Sequence, residues 1–109
     1  VKRAVFLHIE SILRGYPRMN DYIKQRLNNK YYSLDDDKAV SVLIEQQMVV
    51  KNCLVNSTEE DQQLIDSLYF HHDPNKTIDG VAMDLNISRS ALFYKRNKFM
   101  EAIKRGLGW

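Results

Sequence analysis

Cysteine, proline and glycine are all scarce in this chain of 109 residues, at one, two and four copies. With a single cysteine no intrachain disulfide framework can form, and Cys53 lies in an apolar-periodic segment that suits a small buried hydrophobe. None of the four glycines belongs to a phosphate-cradling loop, and nothing pairs a nucleophile with a base, so neither an enzyme nor a cofactor is expected. Long hydrophobic runs are missing too. Ala4 to Ile9 is apolar, but Glu10 and Arg14 interrupt it well short of a membrane span or a signal segment. A soluble cytoplasmic protein with no membrane association is the expectation. Val1 rather than methionine opens the chain, and no targeting claim rests on that end. Period-two alternation bounded by turn signals is absent, as are repeats and low-complexity stretches, which leaves an all-α chain of about six helices in one modest core.

Charge is present in abundance but unevenly placed. Residues 1–32 hold seven Lys/Arg against two Asp/Glu, net +5, and residues 33–73 hold two against nine, net −7. Residues 74–109 return to seven against three, net +4. Phosphate would be drawn to the two basic ends and repelled by the acidic middle.

Apolar spacing places the helices. Val5, Ile9, Ile12 and Leu13 form one face from about Lys2 to Arg14, which Gly15-Tyr16-Pro17 ends. Met19, Tyr22, Ile23 and Leu27 continue helical spacing over Asn20 to Lys30, with Asn20 as the expected N-cap. Asp35-Asp36-Asp37 suits the first turn of the next helix, where the macrodipole favours negative charge, better than it suits a metal site. From there Val40, Leu43, Gln47, Val50 and Leu54 make a coiled-coil-like seam, and Val42, Ile44, Met48, Val49 and Cys53 add apolar residues on other faces, so the Asp35 to Leu54 helix is either the centre of the monomer core or a homodimer element. Ser57-Thr58-Glu59-Glu60 matches a capping box with Ser57 as N-cap, opening a helix to about Phe70 with Leu64, Ile65, Leu68 and Tyr69 inward. His71-His72-Asp73 invites a metal reading, but adjacent residues on a turn rarely converge, and no metal is expected.

The last third carries the functional constellation. Thr77 caps a short helix whose Ile78, Val81, Ala82 and Leu85 share one face, and Asn86-Ile87-Ser88 breaks it. Asn86 tolerates the left-handed conformation of a tight turn, Ile87 can plug the angle between helices, and Ser88 can cap the helix from Arg89 to Arg105. Ala82 is small where the two helices approach. This is the pattern of a helix-turn-helix whose second member enters the major groove of double-stranded DNA. At about 100° per residue, Leu92, Phe99 and Ile103 face inward while Ser90, Tyr94, Asn97 and Lys98 face outward. Arg89 and Ser90 are then placed for base edges, and Thr77 and Ser88 for phosphates. Lys95, Arg96 and Lys98 would neutralise backbone charge, and Tyr94 would bond a phosphate or stack. Residues 1–73 form a helical region for oligomerisation or partner binding, and residues 74–109 the DNA-binding region.

Thr77 to Ser90 resembles the helix-turn-helix of region 4 in sigma factors. Ile87-Ser88-Arg89-Ser90 to Asn97-Lys98, together with Leu13-Arg14-Gly15-Tyr16-Pro17 near the start, resembles the ArpU and RinA-type regulators of bacteriophage late genes. The resemblance implies activation of phage or prophage genes, with host RNA polymerase as a partner. Lys95 stands where that family's second helix is commonly apolar, so either its stem snorkels along the core edge or the helix is turned slightly. A sequence-specific transcription regulator is the function expected. The alternatives are a helical interaction module, such as a phage adaptor or antirepressor, and a small terminase subunit, which would be expected to carry its DNA-binding helices at the N-terminus.

Overall fold

A computed structural model describes residues 2–109; Val1 lies outside the described residues. The chain is all-α, and no strand occurs among the described residues. Helix α1 runs Arg3–Gly15 and passes through a 3-10 turn, Tyr16–Arg18, into α2, Met19–Leu27. Proline at position 17 sits in the first turn of that 3-10 segment, where its missing N–H costs nothing. The two helices are therefore a bent pair. Asn20 is not the N-cap of α2, which begins one residue earlier behind Arg18; its side-chain carbonyl instead accepts from Nε2 of Gln47 on the next helix.

Helix α3, Leu34–Val55, is the longest element. Ser33 caps it by accepting from the amide of Asp36, and the Asp36 carboxylate accepts in return from the Ser33 amide at 3.0 Å. That reciprocal bond and Arg26 beside it at 2.8 Å hold the Asp36 carboxyl below the usual range, the backbone bond being the larger influence. Val40, Leu43, Gln47, Val50 and Leu54 do lie along the inner side of α3, buried or half-buried, but α2 and the last helix cover them. The expected seam is thus used within the chain.

Helix α4, Glu59–Ile65, starts one residue later than the capping-box pattern predicts. Thr58, not Ser57, is the N-cap, accepting from the amide of Asp61, while the Ser57 hydroxyl turns back to donate to the carbonyl of Cys53. Glu60 is consequently free to face another helix. The helix also does not stay α to Phe70: Asp66–Phe70 is a π turn, closed by the His71 amide on the Asp66 carbonyl at 2.8 Å. The wider turn rotates the end of the helix, so that buried Tyr69 donates to Oε2 of Glu10 on α1 and Phe70 meets Tyr16 with ring centroids 5.1 Å apart.

Helices α5, Ile78–Asp84, and α6, Arg89–Leu107, complete the chain. Phe99, Met100 and Ile103 of α6 enter the main core beside Ile9, Ile12, Leu13, Val50, Ile65 and Tyr69. A second, smaller cluster joins Leu64, Val81, Ala82 and Leu92. One helix therefore serves both clusters, and the segment from residue 74 onward shares its core with the rest. Gly108, at φ 74°, ends α6 in the left-handed conformation, letting the Trp109 amide reach back to the Lys104 carbonyl. Trp109 lies against His8, centroids 4.6 Å apart. The molecule measures 50 × 29 × 25 Å, and α2 packs against α3 to form an arm. No helix of the described residues is long and apolar enough to cross a membrane.

Candidate nucleic-acid interface

The geometry of the α5–α6 junction follows from five side chains. Thr77 accepts from the Gly80 amide at 3.1 Å and Ser88 from the Ala91 amide at 3.0 Å, so each helix begins on a hydroxyl cap. Between them Asn86 adopts φ 57°, the one positive φ outside glycine among the described residues. Its amide still bonds the Met83 carbonyl, and the Ile87 amide returns to the Ala82 carbonyl at 3.0 Å. Ile87 packs with Leu85, Ile78 and Phe93 around the small cluster, and buried Ala82 sits in that cluster with Leu92. The angle between α5 and α6 is thereby fixed by backbone bonds on one side and by packing on the other.

On the outer side of α6, Arg89, Ser90, Tyr94, Asn97 and Lys98 are all exposed, Tyr94 by 68%. Leu92, Phe99 and Ile103 are buried as the wheel requires, with Met100 added. Thr77 and Ser88 are exposed at the two helix starts. Seven of the nine expected contact residues therefore lie open to solvent at this end of the molecule. Lys95 is placed differently: half-buried, with its ammonium 3.4 Å from Asp61 and 3.5 Å from Glu60 of α4. Partial desolvation opposes its charge, but the two carboxylates prevail and hold its pKa above the ordinary lysine value. Of the two orientations open from sequence, the stem lies along the core edge, and α4 supplies the counter-charge.

Arg96 is also drawn inward. Its guanidinium stacks between Phe6 of α1 and Phe93 of α6, 4.8 Å from each centroid, and its buried Nε has no hydrogen-bond partner among the described residues. It fastens α6 to α1 by cation–π contact. Arg89 lies 5.4 Å from the Phe93 centroid and 3.5 Å from the Asp79 carboxylate. Lys76 is tied to Asp84 in a close ion pair that raises its pKa, the hydrogen bond being the largest cause. Lys98, by contrast, has no carboxylate partner among the described residues.

The acidic partners on α5 and α4 leave no signal in the sequence. Asp79 and Arg89 are ten residues apart, Asp61 and Lys95 thirty-four, and only the tertiary turn joins them. His71 pairs with Asp66 at 2.7 Å, His72 is exposed, and no group of three or more His, Cys, Asp or Glu among the described residues could hold a metal ion.

A family model described as a protein of unknown function, DUF722, matches residues 8–105. The chain belongs to that family. The DUF722 match runs through the α2–α3 arm as well as the helix-turn-helix, so both are parts of one family unit. No curated protein and no solved structure matches the chain.

Proposed function

We propose that this protein is a sequence-specific regulator of transcription that inserts the first half of α6 into the major groove of double-stranded DNA. The observation that carries this is the junction at Asn86: a left-handed residue between two hydroxyl-capped helices, with the exposed polar edge Arg89, Ser90, Tyr94, Asn97 and Lys98 beside it. In this role Arg89 leaves the exposed Asp79 carboxylate for guanine O6 and N7, an exchange that costs little because a surface ion pair is weak. Ser90 and Asn97 are offered to base edges. Thr77 and Ser88 donate hydroxyl protons to phosphates while still accepting from their own helices, and Tyr94 adds a phosphate bond or a stack. Lys98 supplies backbone charge, whereas Lys95 is spent on α4. By its resemblance to phage late-gene regulators, the protein would activate phage or prophage genes together with host RNA polymerase in the bacterial cytoplasm.

The test is selection of bound fragments from DNA flanking its own gene, at two salt concentrations, against non-specific competitor. Preferential retention of a discrete sequence, weakened by Arg89→Ala, is the expected result. Failure to prefer any fragment over competitor would falsify the regulator reading.

A second reading, a helical interaction module, draws on the uncovered apolar side chains of α3, among them Val42 and Met48. An adaptor of that kind would be indifferent to Arg89→Ala and Lys98→Ala in its partner binding.

A further inference from the structure

Helix α3 carries two stripes, and α2 and α6 cover one of them. On the opposite side Leu34, Lys38, Ser41, Glu45 and Met48 recur at spacings of four and three, and every one is exposed. Leu34 is 81% exposed, Met48 58% and the flanking Val42 51%. Thirteen large hydrophobic residues are exposed in the described chain, and three of them, Leu34, Val42 and Met48, lie on or beside this stripe. Exposed apolar side chains gathered along one helix face mark a contact surface.

We infer that the outer face of α3 pairs with the same face of a second copy of this chain, the two helices antiparallel about a two-fold axis at Ser41 and Val42. A two-fold contact must be self-complementary, and this stripe is. Lys38 and Glu45 stand at nearly equal distances either side of the axis, so each copy's Lys38 meets the other's Glu45. Neither has an ion-pair partner within its own chain among the described residues. Ser41 is small at the crossing, which lets the backbones approach, and the antiparallel order brings Leu34 of one copy toward Met48 of the other. A foreign partner would need no such symmetry. The inference goes beyond the proposed function and does not depend on it, but the two together give a dimer with paired reading helices suited to an inverted-repeat site.

The test is sedimentation of the full chain without DNA, with helicity of each variant followed by circular dichroism. The native chain should dimerise with rising concentration. Lys38→Glu or Glu45→Lys alone sets like charges together at two symmetric places and should weaken the dimer by about tenfold. The double variant, Lys38→Glu with Glu45→Lys, should restore it, because both pairs are re-formed with reversed sign. Met48→Gln should weaken it without charge repulsion, and Arg89→Ala should leave it unchanged. A native chain that stays monomeric to about 100 μM, near the level at which standard interfaces are long saturated, overturns the inference. So does a dimer that ignores both single reversals, or one that the double reversal fails to restore.

Discussion

Gly106 lies where α6 crosses α3, and a Cβ added there would stand 2.6 Å from Cγ1 of Val49, with Val49 Cβ and Cγ2 at 3.6 Å. Non-bonded carbons settle at about 3.5–4.0 Å, so one contact is short by roughly 1 Å while the other two are ordinary. Val49 cannot turn aside cheaply, because a β-branched side chain in a helix is held to about one χ1 rotamer. Two effects then oppose each other in Gly106→Ala. Helix propensity favours alanine by about 1 kcal/mol, and overpacking disfavours it by about 1–3 kcal/mol. Overpacking wins, leaving a net loss of about 1 kcal/mol, and for a chain of this size that lowers Tm by about 4–8 °C. Urea and thermal unfolding of four proteins, native, Gly106→Ala, Val49→Ala and the double variant, separate the two effects. With Val49 truncated the offending Cγ1 is gone, and the same glycine replacement should become stabilising. Equal cost of Gly106→Ala in both backgrounds would refute close packing as the cause, since contacting residues must couple.

Asn86→Ala should cost about 1 kcal/mol in urea unfolding, because a Cβ-bearing residue without a local polar bond is disfavoured in the left-handed region, whereas Asn86→Gly should be nearly neutral. Burial, and after it the Glu10 hydrogen bond, raises the Tyr69 phenol well above its ordinary pKa. Its contribution to stability is therefore intact below the unfolded value of about 10 and is lost as pH rises through the folded value, so native protein should lose more stability than Tyr69→Phe above about pH 10 in chemical unfolding. In DNA binding, Lys98→Ala should reduce the slope of log affinity against log salt by about one, while Lys95→Ala, whose charge is already met by Asp61 and Glu60, should leave the slope unchanged. Equal slopes for the two variants would contradict the placement of Lys95.

The junction of α5 and α6 was legible because its determinants are local. Thr77, Asn86 and Ser88 each act on backbone groups within three residues, and such bonds depend on chemistry and spacing alone. Two other boundaries are set by more than local pattern. Ser57 and Thr58 both fit a capping pattern, and what selects Thr58 is that the Ser57 hydroxyl is occupied by the carbonyl of Cys53 behind it. The π turn at Asp66–Phe70 was not legible, because it is required by where α1 stands relative to Tyr69 and Phe70, a distance that no helical period contains.

Periodicity, caps and the scarcity of glycine and proline by themselves determined that the chain is helical, where its helices lie within a few residues, and which side of α6 is apolar. Tertiary structure decided the use made of charge and of α3. Lys95 and Lys98 are three residues apart on one basic helix, yet one is neutralised by α4 and the other is open to solvent. Likewise the inner stripe of α3 is covered by its own chain and the outer stripe is not. Sequence spacing states which side chains share a face of a helix. Only packing states what that face meets, because the free energy of a charge or an apolar patch depends on its neighbours in space.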